Sequence, residues 1–367
     1  MVVGLSGGVD SSVAAAILLE QEYEVEAVYL ECYNEPGCRT DQDKKDALRV
    51  AVQLGIRFQT LDFRREYRDR VIEYFYREYE AGRTPNPDIV CNREIKFGIF
   101  YDWAMNHGYD YVATGHYARI MKLQGSVLCK EIRGTKDGSL YLLRAKDESK
   151  DQSYFLWQIP RNHLKHILFP LGNMLKSEVR TKANELELHT ASKPDSMGIC
   201  FIGEVDVNEL LKKRLGEKEG VVVMEGEVVG KHRGLWFYTI GSRGGWEMSI
   251  NSPISNSQIL KLGITTNNMP PLYVIGKDTV KNQLIVGGRE EGMTSHFEIN
   301  SQIINSQILK LRKKLWVRIR NLGELIEVES VKDGQVILKE KIFGVASGQS
   351  SVFYDQNGVL VTGAIIV

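Results

Sequence analysis

The first twenty residues constrain the fold most, because they combine a short apolar run, a Gly-Gly turn and a helical pattern. The run VVGLS predicts a buried strand, and DSSVAAAILLEQ predicts a helix that begins near Asp10 or Ser11. Gly7 and Gly8 allow the backbone to approach a ligand without interference from a Cβ atom. Backbone N–H groups at such a helix start bind anions, so this SGGVDSS loop predicts a phosphate site.

The loop differs from the common lysine-bearing phosphate loop, whose GxxxxGK[ST] spacing is missing. Ser6, Ser11 and Ser12 can donate hydroxyl groups to phosphate oxygens instead. Asp10 can orient the loop or approach a magnesium ion. The loop therefore predicts phosphate binding and leaves the reaction open.

Strand and helix patterns alternate over residues 1 to about 120. Further strands are predicted at EVEAVYLEC, RFQTLDF and YDYVATGH, with a long helix over about 64–81. This order is typical of an α/β protein with a doubly wound parallel sheet, in which ligands bind at the carboxyl ends of strands.

The predicted secondary structure changes near residue 205, where helical patterns are replaced by short β-strand patterns separated by glycines. The DQNG sequence before VLVTG predicts a hairpin turn. We predict a catalytic α/β domain over residues 1–204, a small β-rich domain over 205–290 and a C-terminal β-barrel over 291–367.

Composition excludes some classes and leaves others open. Lys plus Arg and Asp plus Glu both number 47, so net charge identifies no partner. No run approaches the ~18 apolar residues of a membrane helix, so no membrane partner is expected. The loop begins so close to Met1 that no targeting peptide is predicted, which favours the cytoplasm. Five cysteines without a CxxC pair predict neither a zinc site nor a disulfide framework, so no metal is expected to be held by the protein itself.

Two cysteine-bearing segments are candidates for chemistry. In TPNPDIVCNREIKFG, Cys91 is placed near a helix start with Arg93 and Lys96 in the following turns, an arrangement that lowers a thiol pKa. Asp88 is three residues away as a candidate acid or base. In KPDSMGICFIGE, Cys200 follows a glycine that suits a thiol that must move. Each cysteine alone would be explained equally by packing in an apolar core.

The loop resembles the pyrophosphate loop of the ATP pyrophosphatase superfamily, which splits ATP between the α and β phosphates. The ordered motifs SGGVDSS, NPDIVCNREIKF, ATGHYAR, KDQSYFLW and MGICFIGE closely resemble the bacterial tRNA-specific 2-thiouridylase family. The later segments GKHRGLWFYTIG, YVIGKD and SGQSSVFYD fit the same family, so the resemblance spans nearly the whole chain.

The resemblance implies ATP-dependent 2-thiolation of the wobble uridine of tRNA. ATP, with Mg²⁺, would adenylate the C2 oxygen of that base. Cys200 would carry sulfur as a persulfide, and Cys91 would be the nucleophile that completes delivery and ends as a disulfide with Cys200. Asp88 would act as acid or base, while Asn86 and Pro87 would contact the target base.

The resemblance also implies an ATP site at the loop and at two neighbouring strand ends. Its residues would be Gly4, Leu5, Ser6, Gly7, Gly8, Val9, Asp10, Ser11, Ser12, Leu30 and Gly115. His116 and Gln349 match positions important for activity in the family, although a satisfied histidine at a strand end would explain His116 alone.

Contacts with tRNA are implied at two segments. The first is Lys150, Asp151 and Gln152, for which a surface charge cluster is the alternative, and the second is Arg320 and Asn321. The segment KLRKKLWVRIR adds cations that can contact phosphates, namely Lys310, Arg312, Lys313, Lys314, Arg318 and Arg320. The sequence TIGSRGGW departs from the family's usual TIGQRKG, and Asn321 replaces the usual Tyr after Arg320. These departures affect the expected tRNA contacts and not the adenylation chemistry.

The string NSQILKL occurs twice, at 256–262 and at 305–311, and both copies fit insertions tolerated in surface loops.

The sequence leaves alternative functions to compare with this hypothesis. Another ATP pyrophosphatase, such as an amidotransferase-type synthetase or a tRNA lysidine synthetase, would need neither Cys91 nor Cys200, and an inactive RNA-binding relative would need no intact loop. The expected partners are tRNA and a sulfur carrier or cysteine desulfurase relay as persulfide donor, with a monomer when free.

Overall fold

The computed structural model describes residues 1–34, 40–122, 139–195, 200, 206–248, 271–300 and 314–367. Cys38, Cys129, both NSQILKL strings and the cations Lys310, Arg312 and Lys313 lie outside these residues. Among the described residues, no helix is both long and apolar enough to cross a membrane.

The first part of the chain forms the parallel sheet that the alternating pattern predicts. The strands of this part are β1 (Val2–Gly4), β2 (Glu26–Glu31), β3 (Arg57–Asp62), β4 (Val112–Ala113), β5 (Arg119–Lys122), β6 (Leu140–Leu143) and β7 (Ile167–Leu168). Five of them pair in parallel in the order β3-β2-β1-β4-β7, and β5 and β6 form a separate antiparallel pair. Because β1 has β2 on one side and β4 on the other, the loop after β1 lies at a switch point of the sheet, where ligands bind in such folds.

Helices flank this sheet and carry the predicted site segments. They are α1 (Val9–Glu20), α2 (Thr40–Leu54), α3 (Arg64–Tyr67), α4 (Glu73–Glu80), α5 (Pro87–Cys91), α6 (Phe100–Asn106) and α7 (Lys176–Glu185). A π-helical turn at Arg68–Ile72 joins α3 to α4, which makes the predicted long helix continuous over 64–80. A second π-helical segment at Asn92–Ile99 joins α5 to α6. The sequence pattern predicted a helix over both regions but no π-helix.

Two β-rich units follow α8 (Val207–Leu215), as predicted. Their strands are β8 (Gly220–Met224), β9 (Glu227–His232), β10 (Glu247–Met248), β11 (Tyr273–Asp278), β12 (Gln283–Gly287), β13 (Met293–Glu298), β14 (Leu315–Arg318), β15 (Ile326–Lys332), β16 (Gln335–Phe343), β17 (Ser350–Tyr354) and β18 (Leu360–Ile365). The first unit has the strand order β10-β9-β8-β12-β11, and the second has the order β13-β16-β15-β14-β17-β18. A bridge between Ile299 and Ile366 joins the two edges of the six-stranded sheet, so the C-terminal sheet closes as a barrel. The DQNG turn joins β17 to β18.

The C-terminal barrel packs directly on the catalytic domain through buried polar contacts. The Tyr154 hydroxyl donates to the Ser350 carbonyl at 2.8 Å, and Arg318 binds the Asp151 carboxylate at 2.9 Å. Thr84 donates its backbone N–H to the Ser347 carbonyl at 2.8 Å. Unpaired polar groups are costly when buried, so these bonds fix the barrel beside the segment that precedes α5.

Candidate active site

The loop after β1 is held in shape by its own serines. Ser11 Oγ lies 3.1 Å from both the Ser6 backbone nitrogen and Ser6 Oγ, and it donates to the Gly8 carbonyl at 3.1 Å. Ser12 Oγ donates to the same carbonyl at 2.8 Å. The helix α1 begins at Val9 with Gly8 as its N-cap, slightly before the start predicted near Asp10 or Ser11. The hydroxyls therefore form an ordered set at the positive end of α1.

Two glycines are required by close backbone approach. Gly7 has φ +74°, and a Cβ atom there would lie 2.1 Å from the Asp43 carbonyl oxygen. A Cβ atom on Gly115 would lie 2.7 Å from the Ser11 backbone nitrogen. Gly115 follows β4, so the structure brings this predicted ATP residue directly against the loop. Leu30, at the end of β2, is buried at the neighbouring strand end.

Two lysines that the sequence reasoning missed reach the loop from distant segments. Lys176 Nζ binds Asp10 Oδ1 at 2.6 Å, and Lys193 Nζ binds the Gly7 carbonyl at 2.9 Å. Their side chains are largely buried. The loop thus has lysines beside it although none lies within its sequence. No local signal identifies them, because they are more than 160 residues away in the chain.

Carboxylates neutralise both lysines. Lys193 pairs with Asp43 and Asp46 at 2.7 and 2.6 Å, and Lys176 pairs with Asp195 at 2.8 Å. Asp46 is buried, and its carboxylate accepts from Lys193. Burial would raise the pKa of Asp195, but hydrogen bonds from Lys150 and Lys176 outweigh it and hold that pKa well below its ordinary value. Among the described residues, no group of three His, Cys, Asp or Glu side chains could hold a metal ion.

The second part of the site is a pair of thiols from distant segments. Cys91 is fully buried at the end of α5, and the partly buried Cys200 thiol hydrogen-bonds with it. Two groups clamp the backbone of Cys200. Its N–H donates to Asp88 Oδ1 at 3.0 Å, and its carbonyl accepts from the Tyr67 hydroxyl at 2.6 Å. The structure therefore brings together all three predicted catalytic residues, and Tyr67 is a member that sequence reasoning missed.

The electrostatics of the pair differ from the sequence-based expectation. Burial raises the pKa of the Cys91 thiol well above its ordinary value, whereas the hydrogen bond from Cys91 lowers the pKa of Cys200 to about 7. The expectation of a lowered pKa at Cys91 was wrong because that residue ends the first helical turn in the core. Arg93 does not help it, since Arg93 is exposed and binds Glu94 and Gln158.

The carboxyl group of Asp88 lies in the same environment. Burial raises its pKa above the ordinary value, against the opposing effects of the Cys200 N–H and the nearby Lys96. Pro87 is the first residue of α5, where its missing N–H costs nothing, and Asn86 is the buried N-cap. A raised pKa makes this carboxyl better suited to give or take a proton than an ordinary exposed carboxyl.

His116 connects the two parts of the site. It follows Gly115, and its Nδ1 lies 2.7 Å from Thr114 Oγ1 while its Nε2 lies 3.4 Å from Lys96 Nζ. Burial lowers the pKa of His116 well below its ordinary value, and the Lys96 ammonium lowers it further. Gly115 touches the phosphate loop and His116 touches the lysine of the thiol site, so consecutive residues join the two parts.

The residues expected to contact tRNA are not all accessible. Asp151 is fully buried, and its carboxylate accepts from Arg318, Ser153 and the Ala145 N–H. This corrects the expected tRNA contact at Asp151 and the expected phosphate contact at Arg318, because each neutralises the other inside the protein.

The other residues expected to contact tRNA are partly or fully exposed. Lys150 binds Asp195 at 2.7 Å, and Gln152 accepts from the Tyr117 N–H at 2.9 Å. Lys314 and Arg320 are exposed on the barrel, next to the half-buried Asn321. Gln349 lies elsewhere, because its side-chain amide donates to the Thr84 and Pro85 carbonyls at 3.2 and 3.1 Å. It therefore supports the segment that leads into Asn86 and Asp88.

An open cleft of about 790 Å³ lies beside the thiol pair. Its wall includes Cys32 and Tyr67, which adjoin the pair, and the side chains of Arg68, Tyr76 and Lys213. Cations interleaved with aromatic rings are typical of surfaces that bind nucleic acids. Part of this wall comes from the predicted helix over 64–80, and part from α8.

The parallel sheet with a glycine-serine loop at its switch point, followed by two β-rich units, defines a multidomain α/β protein with a loop suited to bind anions. Three family models match the chain: a tRNA methyl transferase HUP domain over residues 1–204, a tRNA methyl transferase PRC-barrel domain over 208–288 and an aminomethyltransferase β-barrel domain over 298–366.

Curated relatives match over the full length. The chain is 38% identical over 381 residues to the tRNA-specific 2-thiouridylase MnmA of Streptococcus pyogenes serotype M2, covering 100% of this chain and 94% of the relative. It is 39% identical over 380 residues to the enzyme of the same name from Streptococcus mutans serotype c, with the same coverage. A solved 4-thiouridine synthetase–RNA complex with bound ATP is 21% identical over 58% of this chain and 48% of that chain, with a TM-score of 0.35. That likeness is too remote to inform activity.

The chain belongs to the tRNA-specific 2-thiouridylase family, which places it among the tRNA sulfurtransferases. The names of the matching domain families mention methyl and aminomethyl transfer, whereas the relatives are named for thiolation. The adjoining thiols of Cys91 and Cys200 agree with thiolation.

Proposed function

We propose that this protein uses ATP to convert the wobble uridine of tRNA into 2-thiouridine, with release of AMP and pyrophosphate. The observation that carries the proposal is the contact between the Cys91 and Cys200 thiols beside the half-buried carboxyl of Asp88. Neither an amidotransferase-type synthetase nor a lysidine synthetase requires two adjoining thiols, so the pair favours sulfur transfer.

The first step is adenylation of the base. The loop N–H groups, Ser6, Ser11 and Ser12, together with Lys176 and Lys193, would bind the phosphates of ATP, and Mg²⁺ would accompany the nucleotide. The C2 oxygen attacks the α-phosphorus as the bond to the β-phosphate oxygen breaks, and pyrophosphate leaves. Asp88 takes the N3 proton of the uridine in this step, and the adenylated oxygen becomes a good leaving group.

Sulfur then moves through the thiol pair. The outer sulfur of a Cys200 persulfide attacks C2, the C2–O bond breaks, and AMP leaves. Cys91 next attacks the Cys200 sulfur, so the bond between Cys200 and the delivered sulfur breaks and a Cys91–Cys200 disulfide forms. In this step the Cys91 sulfur is oxidised from the thiol to the disulfide level, the Cys200 sulfur stays at the level that it had in the persulfide, and the delivered sulfur is reduced to the thione level. Asp88 returns its proton to N3 of the base and takes up the Cys91 proton. A dithiol reductant resets the disulfide.

The partners follow from this chemistry. A tRNA would approach along the cleft lined by Arg68, Tyr76 and Lys213, with the base turned out of its loop to reach Asn86 and Asp88. Lys150, Gln152, Arg320 and Asn321 would supply outer contacts. A sulfur carrier or a cysteine desulfurase relay would supply the persulfide. We place this activity in the cytoplasm, with the protein a monomer when free.

The test combines the purified full chain, Mg–ATP, a small-molecule persulfide and unmodified tRNA, with nucleosides analysed by mass spectrometry. The wild type is expected to form 2-thiouridine, and Cys91→Ala and Cys200→Ala are expected to lose at least about three orders of magnitude in rate. Cys129→Ala is the matched control, because no role is assigned to Cys129 and its loss should leave activity unchanged. Wild-type protein without product, or active Cys200→Ala protein, would overturn the proposal.

A further inference from the structure

The side-chain ammonium of Lys96 interacts with the thiol pair. Its side chain hydrogen-bonds with the Cys200 sulfur, and its Nζ lies 3.4 Å from His116 Nε2. Burial lowers the pKa of Lys96, but the sulfurs of Cys200 and Cys91 and the Asp88 carboxyl outweigh burial and raise that pKa above its ordinary value. Lys96 therefore stays charged inside the site.

The helix geometry explains how Lys96 reaches the pair. Lys96 lies five residues after Cys91, on the π-helical segment Asn92–Ile99. In an α-helix, residues five apart point roughly 140° away from each other, whereas a π-helix bonds residue i to i+5 and places them on one face. Gly98 permits this wider turn, since a Cβ atom there would lie 2.6 Å from the Arg93 carbonyl oxygen.

No neighbouring basic side chain replaces Lys96 among the described residues that act on Cys200. Arg93 is exposed and bound to Glu94 and Gln158. Burial lowers the pKa of His116 well below its ordinary value, which favours the neutral form of that side chain. The titratable groups that face Lys96 from the surrounding elements are Cys32, Cys91, Cys200, Asp88 and His116. The sulfur of Cys200 is the one to which Lys96 hydrogen-bonds, and so it receives most of the stabilisation.

We propose that Lys96 is a catalytic residue of sulfur transfer, whose ammonium is the counter-ion that holds Cys200 first as a thiolate and then as a persulfide anion. This inference rests on the proposed function and assigns a role within it. A thiolate is the form of cysteine that attacks a persulfide.

The loading step balances without a change in the charge beside Lys96. The Cys200 thiolate attacks the outer sulfur of the donor persulfide, a new S–S bond forms at Cys200, and the donor's S–S bond breaks. The donor leaves as a thiolate and takes up a proton from water. Cys200 now carries a persulfide anion in place of a thiolate, so the same Lys96 ammonium neutralises reactant and product.

The test is the pH dependence of Cys200 alkylation, measured by mass spectrometry of its peptide in the absence of ATP, tRNA and sulfur donor. In wild-type protein the rate should be half-maximal near pH 7, because the Cys200 pKa is about 7. In Lys96→Met the profile should move up by at least one pH unit, which lowers the rate at pH 6 about tenfold, and Lys96→Arg should restore the wild-type profile.

Two controls keep the result interpretable. Lys45→Met removes an exposed lysine from α2 and should leave the profile unchanged. Lys96→Gln is a second neutral variant that keeps a hydrogen-bond donor, and it is used if Lys96→Met does not fold. A wild-type profile centred near pH 9 overturns the inference without any variant.

The outcomes also separate this inference from the proposed function. A low, Lys96-dependent pKa in a protein that never thiolates tRNA supports the counter-ion and refutes the proposed reaction. Conversely, a protein that thiolates tRNA but has the same Cys200 profile with and without the Lys96 charge refutes only the role of Lys96.

Discussion

The phosphate loop and the thiol pair adjoin each other but are built in opposite ways. The loop is contiguous in sequence, and several ion pairs surround it, with Lys176 and Lys193 each bound to two carboxylates. The thiol pair joins segments more than 100 residues apart, and Lys96 supplies the one ammonium that acts on Cys200 among the described residues, beside the hydrogen bond from Cys91. A polar, multiply paired site tolerates the loss of one charge better than a buried site with one cation.

The difference suits the two ligands of the proposed reaction. A departing pyrophosphate carries several charges, and lysines already held by Asp10, Asp43 and Asp46 can exchange one set of oxygens for another. Sulfur transfer instead requires one anionic sulfur and exclusion of water, and burial of Cys91 provides the latter. The two sites are joined by consecutive residues, because Gly115 lies against the phosphate loop and His116 contacts Lys96 of the thiol site.

The largest effect that tests this contrast is expected for Asp88→Asn in the thiol site. Asparagine keeps an oxygen that can accept from the Cys200 N–H, but it cannot exchange a proton. We expect thiolation to fall by about 10²- to 10⁴-fold, with Cys200 still reactive toward alkylation. The measurement is single-turnover formation of 2-thiouridine beside the alkylation rate. Unchanged thiolation would remove the acid–base role, and loss of alkylation would show that Asp88 mainly positions Cys200.

The local parts of this architecture could be predicted from sequence, whereas the tertiary parts could not. The loop, its serines and the parallel sheet follow from apolar runs and glycine positions that are adjacent in the chain. Lys176 and Lys193 have no such signal, because only the fold brings them to Asp10 and Gly7.

Charge near a residue in sequence also misled the prediction at Cys91. Arg93 points to solvent, and Lys96 reaches the pair only because a π-helix replaces the expected α-helix. Asp151 and Arg318 look like surface charges in sequence, but they bind each other between the catalytic domain and the barrel. Burial of a charge depends on a partner that local patterns do not identify.

A smaller effect is expected for Lys176→Met in the loop. One charged hydrogen bond to Asp10 is lost, while Lys193 remains, so ATP affinity should fall about 10- to 100-fold. Isothermal titration with Mg–ATP measures this change. Lys182→Met is the matched control on the same helix, because Lys182 binds Glu20 away from the loop. Equal affinities for the two variants would contradict the assignment of Lys176 to the phosphate site.

The smallest effect is expected for Gln349→Ala, which tests whether the barrel acts on the thiol site through the protein or through tRNA. The variant loses the hydrogen bonds to the Thr84 and Pro85 carbonyls, each worth about 1 kcal/mol, so thiolation should fall roughly five- to thirtyfold. Because this segment leads into Asp88, which holds the Cys200 N–H, the alkylation rate of Cys200 should also change in the absence of RNA. The exposed Gln356, in the turn between β17 and β18, provides the control variant Gln356→Ala. If Gln349→Ala weakens thiolation while leaving RNA-free alkylation untouched, Gln349 acts on tRNA, and the thiol site is supported by the catalytic domain alone.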